Sequence, residues 1–255
     1  MKGDAKDVND VKDVKVVPAI ETEEGDGARV RRLFPTGAMR DADPFVLLDE
    51  FDVRPPAGFP EHPHRGFEAV TYMLEGGFRH RDDMGNDSTV LAGGAQRFTA
   101  GGRGIVHSEM PGGRGRNRGL QLWVKLPSAL KGVAPSYQQV DGPAMPETAG
   151  NGWRARIVVG EGSPVRLSTP VRYMDVRLDA WATFEEGVPE GWTGLVYVLD
   201  GRVTVGGVEA RAGSAAMLAP GSRPTVSAVE GPAHLVLLLG RPIGEPIVHR
   251  GPFVD

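Results

Sequence analysis

Along most of the chain, apolar positions come in short runs of four to eight residues cut off by glycine or proline, and few segments carry a helical stripe. Residues 69–74 (AVTYML) stop at Glu75-Gly76-Gly77, and 78–81 are followed by the turn residues Met84-Gly85-Asn86-Asp87. Residues 88–91 stop at Gly93-Gly94, 96–99 at Gly101-Gly102, 105–109 at Pro111 and 120–126 at Pro127. A loop-rich stretch, 127–152, follows. Strand patterns resume at 155–159, 172–178, 194–199, 202–205, 215–218 and 234–239. Strands at this spacing predict an all-β sandwich or barrel.

The two halves echo one another. TYMLEGG at 71–77 resembles VYVLDGR at 196–202, a shift of 125 positions, and AGGAQRFTAGG at 92–102 resembles AGSAAMLAPG at 212–221, a shift of 119 or 120. Two copies of one β unit is the economical reading, with a boundary in the loop-rich stretch.

Composition sharpens this picture in three places. The 36 glycines and 21 prolines among 255 residues suit many tight turns. The absence of cysteine removes disulfides, thiolate nucleophiles and thiolate metal ligands. Residues 1–27 hold four lysines and eight acids, which accounts for the whole net charge of −4; the rest is balanced at 25 basic and 25 acidic residues. This predicts an acidic N-terminal arm, 1–27, its first dozen residues solvated or partly disordered. A neutral body gives no electrostatic case for nucleic acid or an anionic membrane. With neither a spanning apolar run nor a signal-peptide pattern, the expected location is the cytoplasm.

There are six histidines. His62 and His64 lie two apart in Glu61-His62-Pro63-His64-Arg65-Gly66, and His107 and Glu109 lie two apart in Val106-His107-Ser108-Glu109. On strands, each pair points to one face, and neighbouring antiparallel strands lie about 4.8 Å apart. Three imidazoles and a carboxylate on one face are a metal site by type. Glu68 shares parity with His62 and His64 but stands about 13 Å from His64 along an unbroken strand. Gly66 offers a bend. Glu109 is therefore read as the ligand, and Glu68 as an outlying proton acceptor or salt-bridge partner. His80, flanked by Arg79, Arg81, Asp82 and Asp83, reads as a surface imidazole; His234 reads as a satisfied strand-edge residue, and His249 has no evident partner. Arg114, Arg116 and Arg118, set among glycines, read as a flexible solvated loop rather than an anion site, since no aromatic residue is interleaved. Phe67, Met73, Phe98 and Trp123 read first as core, some of them walling a cavity.

With these residues in view, the sequence resembles the pirin family of the cupin superfamily. The matching segments are DPFVLLDEF (43–51), GFPEHPHRGFEAVTYMLEGG (58–77), RHRDDMGN (79–86), QRFTAGGRGIVHSEMP (96–111) and GEPIVHRGPFV (244–254). The resemblance implies a bicupin: an N-terminal metal-binding cupin domain, 28–142, and a C-terminal cupin domain, 143–255, without metal ligands. Carrying the ligand positions across the echo puts Gly187 and Pro189 opposite His62 and His64, and Val226 and Ala228 opposite His107 and Glu109. The family ligands map to His62, His64, His107 and Glu109, and the metal it implies is iron(II), one per chain, with other divalent metals open to an N/O site. Two functions follow as expectations. One is a quercetin 2,3-dioxygenase-like enzyme taking a flavonol and O2, with Glu109 or Glu68 receiving a proton. The other is a redox-responsive regulatory protein with a protein partner. A sugar-isomerase or storage use has no residue in its favour. A monomer is expected. Relatives continue into a helical tail beyond GPFV, which this sequence does not have, so the packing of the N-terminal barrel's outer face is open to the structure.

Overall fold

A computed structural model describes residues 14–255; the first dozen residues of the expected arm lie outside the described residues. Eleven strands form a first set. β1 (Lys15–Pro18), β2 (Ile20–Glu24), β3 (Ala28–Phe34) and β4 (Phe45–Val53) open it. β5 (Phe59–His64), β6 (Phe67–Glu75), β7 (Gly77–Asp82) and β8 (Asp87–Leu91) follow, then β9 (Ala95–Thr99), β10 (Ile105–Pro111) and β11 (Asn117–Lys125). A second set of eleven repeats it: β12 (Ser136–Val140), β13 (Glu147–Gly150), β14 (Trp153–Val159), β15 (Val171–Leu178), β16 (Thr183–Glu185) and β17 (Thr193–Asp200). It ends with β18 (Arg202–Val205), β19 (Val208–Arg211), β20 (Ser214–Leu218), β21 (Thr225–Ala228) and β22 (Ala233–Gly240). A short hairpin, β23 (His249–Arg250) with β24 (Phe253–Val254), closes the chain.

Each set forms a cupin barrel from one seven-stranded and one four-stranded sheet. The large sheets run β12-β9-β6-β11-β4-β3-β2 and β1-β20-β17-β22-β15-β14-β13; the small ones run β5-β10-β7-β8 and β16-β21-β18-β19. Adding eleven to each strand number of the first barrel reproduces the second, except that β1 and β12 have exchanged sheets. The segment read as an acidic arm is therefore partly sheet. β1 pairs with β20 of the second barrel and β2 with β3 of the first. The reason is local: in Lys15-Val16-Val17-Pro18, Val17 is buried between the barrels and Val16 packs on the second barrel's core. Likewise β12, inside the stretch read as loop, covers the edge of β9.

The two large sheets pack on each other through an apolar layer that includes Phe34, Phe45, Leu122, Tyr173, Leu195 and Leu238. Two tyrosines cross it reciprocally. Tyr72 of β6 donates to Asp175 of β15 at 2.7 Å, and Tyr197 of β17 donates to Glu50 of β4 at 2.9 Å. Each residue of one pair lies 125 positions from its counterpart in the other, so the duplicated halves meet through the same contact made twice. Arg118 joins this layer, buried against Glu50, Asp200 and the Leu199 carbonyl. That corrects its reading as a loop residue: it begins the alternation of β11, whereas Arg114 is exposed.

The barrel interiors differ. The second is filled by one apolar cluster, with Val226 and Ala228 buried in it. In the first, Phe67, Ala69, Phe98 and Trp123 form one cluster and Phe51, Met73, Phe78 and Val90 another. Between them runs a polar row read straight across the ladder: Asp49, Gln121, Thr71, Gln96. The corresponding row of the second barrel is Met174, Leu237, Val196, Ala216.

Candidate metal centre

β5 and β10 are neighbours, with His107 directly opposite His62 and Ile105 opposite His64. His62 and His64 share a face because strand side chains alternate. The three rings gather with centroids 4.5 to 5.0 Å apart, and a nitrogen of each lies within 4.8 Å of the others.

Hydrogen bonds fix which nitrogen faces the centre. His62 Nδ1 lies 2.6 Å from the Pro60 carbonyl and His64 Nδ1 lies 3.1 Å from the Pro252 carbonyl. A carbonyl only accepts, so both Nδ1 atoms carry the proton and, in neutral rings, both Nε2 atoms are bare. His62 Nε2 and His107 Nε2 then face each other at 3.1 Å. Burial, reinforced by the neighbouring His62, lowers the His64 pKa to about 3, and burial with three imidazole neighbours holds His107 well below the usual histidine range. Neutral imidazoles with converging lone pairs are what a divalent metal requires of its ligands. The donor set fits such an ion.

Glu109 is buried, and after a register shift in β10 it lies beside His80 and His107 rather than within the three-histidine group. Three of the polar row hold its carboxylate: Gln96 Nε2 at 2.5 Å, Thr71 Oγ1 at 2.8 Å and Gln121 Nε2 at 2.9 Å. A fully buried carboxylate needs these donors. The row was visible in the echo, where Thr71 aligns with Val196 and Gln96 with Ala216, polar residues against apolar ones in matching strands.

Glu68 is elsewhere. Its carboxylate accepts from Thr99 Oγ1 at 3.0 Å and from the Ser168 backbone N–H at 2.7 Å. Gly66, with φ +95°, resets the alternation. Before it the even positions His62 and His64 face inward; after it Phe67, Ala69, Thr71 and Met73 do, leaving Glu68 with Val70 and Tyr72 on the opposite face. The expected proton acceptor is thus turned away from the histidines.

His80 corrects the surface reading: it is fully buried, stacked on Tyr137 at 4.4 Å and beside His107. The signal was the alternation Phe78, His80, Asp82 against Arg79 and Arg81. His234 is satisfied by Asp175, as expected of a strand-edge residue. His249 lies in the wall of the cavity described next, its Nε2 buried without a hydrogen-bond partner.

A cavity of about 810 Å³ opens onto His62, His64 and Glu109, walled by Leu47, Phe51, Phe59, Phe78 and Trp123. The closing segment completes it. Glu245 pairs with the buried Lys125 at 2.7 Å, Val254 bonds the Arg65 carbonyl, and Gly251 and Pro252 line the rim.

The architecture and the histidine cluster in its first barrel define a duplicated cupin. Family comparison agrees: the pirin model matches residues 27–124 and the pirin C-terminal cupin domain model residues 173–255. The chain belongs to the pirin family. It is 43% identical to a pirin-like protein of Solanum lycopersicum, over 91% of this chain and 82% of that one, and 40% identical to human pirin, over 92% and 84%. Among solved structures it superposes on quercetin 2,3-dioxygenase from Acinetobacter baumannii with a TM-score of 0.87 at 31% identity, covering 95% of this chain and 91% of that one. It shares its fold with bacterial pirin YhhW from Escherichia coli, in complex with nickel(II), at a TM-score of 0.75 and 21% identity, covering 90% and 99%. No helix among the described residues is long and apolar enough to cross a membrane.

Proposed function

We propose that this protein binds one iron(II) ion through His62, His64 and His107, with Glu109 as the carboxylate ligand, and acts as a dioxygenase on a flavonol-type substrate. The observation that carries the reading is the convergence of three imidazoles, two of them with Nδ1 held by a carbonyl, beside a cavity whose volume falls in the range of small-molecule sites, about 300–1,000 Å³. An ion held there by His62, His64, His107 and Glu109 would supply a redox-active Lewis acid for the substrate hydroxyl and for O2. The chain's own residues do the rest. Phe51, Phe59, Phe78 and Trp123 offer apolar faces to a flat aromatic ligand and exclude water. Glu109 receives the proton of the substrate hydroxyl, and the amides of Gln96 and Gln121 hold its carboxylate in place. The similarity to a structure named quercetin 2,3-dioxygenase supports the substrate class.

The test is oxygen uptake by anaerobically iron-loaded protein on adding quercetin, with bound iron counted in the same sample. Uptake at one iron per chain, abolished in His62→Ala, is the expected result. One iron per chain with no uptake above His62→Ala overturns the dioxygenase and turns the reading to a redox-responsive regulatory protein.

A further inference from the structure

Behind His107 stands a second imidazole that the metal reading does not use. His107 Nδ1 lies 3.4 Å from His80 Nδ1, and His80 Nε2 lies 3.0 Å from Asp82 Oδ2. Asp82 is itself anchored: its Oδ1 accepts from the backbone N–H groups of Met84 and Asn86, each at 3.0 Å, and its Oδ2 from Asn86 Nδ2 at 2.8 Å. These bonds hold the Asp82 carboxyl below its ordinary pKa against its burial. His80 is fully buried and lies flat on Tyr137, whose hydroxyl reaches Gln96, the residue that bonds Glu109.

The proton assignments follow from one end. An ionised carboxylate only accepts, so His80 Nε2 carries a proton. A neutral His80 then has a bare Nδ1, which accepts from His107 Nδ1–H. That leaves His107 Nε2 bare and facing His62. From this chain we infer that His80, backed by Asp82, is a positioning residue that sets the tautomer and ring orientation of His107. It does for His107 what the Pro60 and Pro252 carbonyls do for His62 and His64. The difference is that the bond to His107 leads through an imidazole to an anion, which raises the basicity of the ligand nitrogen as carboxylate-backed histidines do in metal sites. The inference rests on the metal reading above, and it concerns ligand preparation rather than the substrate.

The test uses the full chain and cobalt(II), whose d–d absorption reports ligand geometry. In His80→Phe the ring on Tyr137 is kept and the acceptor is lost. Cobalt affinity should fall about 10- to 100-fold, the range for loss of an outer hydrogen-bond partner. Asp82→Asn, which keeps the shape and removes the charge, should weaken it by less. Nitrogen-15 spectra of the histidine rings in the metal-free protein supply a readout independent of metal. His107 should be protonated at Nδ1 in the wild type and should lose that preference in His80→Phe. Thermal unfolding of the metal-free variants separates a folding failure from a lost bond, and His80→Gln, whose side-chain oxygen can still accept, should restore part of the affinity. If the wild type binds no cobalt, the metal reading fails. If the wild type binds and folded His80→Phe binds equally well with His107 still protonated at Nδ1, the positioning role is refuted while the metal reading stands.

Discussion

Gly66 sits where three requirements meet, so replacing it with alanine should break all three together. Its φ of +95° is a conformation L side chains rarely adopt. Forcing alanine there costs about 1–2 kcal/mol. An added Cβ would also overlap the carbonyl oxygen of Val254, a backbone atom that cannot rotate aside. The closing segment must therefore lift. Val254 is 1% exposed and its N–H bonds Arg65 at 2.9 Å. Losing that burial and that bond costs about 1.5 and 1 kcal/mol respectively. The expected destabilisation is about 4 kcal/mol, a large fraction of a typical domain's stability. The same movement carries Pro252 away from His64, whose Nδ1 then has no fixed acceptor. Metal affinity should drop about 10- to 100-fold even in the molecules that stay folded. Urea unfolding followed by tryptophan fluorescence measures the first effect, a cobalt titration the second, and hydrogen exchange at the Val254 amide locates the cause. Gly66→Ala protein with an unchanged midpoint, a protected Val254 amide and wild-type cobalt affinity would refute the reasoning.

Three further outcomes follow from contacts described above. Tyr72→Phe should destabilise by about 2 kcal/mol and Tyr197→Phe by about 1 kcal/mol in urea, because each removes a bond to a buried carboxylate but Glu50 keeps two arginines; the reverse order would contradict the reading. Gln121→Leu takes a donor from the buried Glu109 carboxylate and should cost about 2 kcal/mol in the metal-free protein, with the companion Gln96 and Thr71 bonds intact. Bonds from Lys125 and Ser128 depress the Glu245 carboxyl from 4.5 to about 2. A depressed carboxyl contributes fully above its unfolded pKa and loses that contribution as pH falls through the folded value. Exchange protection of the closing segment should therefore be full above the ordinary carboxyl value of 4.5, decline progressively below it and be largely gone near pH 2, and Glu245→Gln should abolish this dependence.

Most strands could be read from turn chemistry and β-branched runs. The two His-x-His and His-x-Glu pairs could be read from spacing, since alternation on a strand is a local rule. What escaped depended on events that local rules do not register. Glu68 was assigned by counting parity through Gly66, and one residue in a left-handed conformation inverted every position after it. His80 was judged by its charged neighbours, although those neighbours alternate with Phe78 and Asp82 on the buried face. The strands Lys15–Pro18 and Ser136–Val140 were hidden by acidic and loop-like surroundings, and their pairing partners lie on the opposite repeat. Two chain segments that exchange places leave no trace in the composition of either.

That exchange bears on why the site lies in the first barrel yet draws on the second set of strands. A buried polar row is tolerable only when every member is bonded, and the Glu109 network meets that condition through three adjacent strands. Converting the apolar row of Met174, Leu237, Val196 and Ala216 one residue at a time would leave each new polar group unpaired, at about 1–3 kcal/mol apiece. The second barrel has instead kept an uninterrupted core and serves as the wall against which the first is built. It also carries chain back to the histidines. Pro252, beyond β22, accepts from His64, and Tyr137, on the exchanged strand β12, supports His80 behind His107. One of the three converging imidazoles is thus held directly, and a second supported through His80, by residues that follow the first set of strands in the chain. A first barrel ending at Lys125 would keep His62, His64, His107 and Glu109 and lose the carbonyl that aims His64 and the tyrosine on which His80 lies. Chain beyond the first set of strands is part of the candidate site.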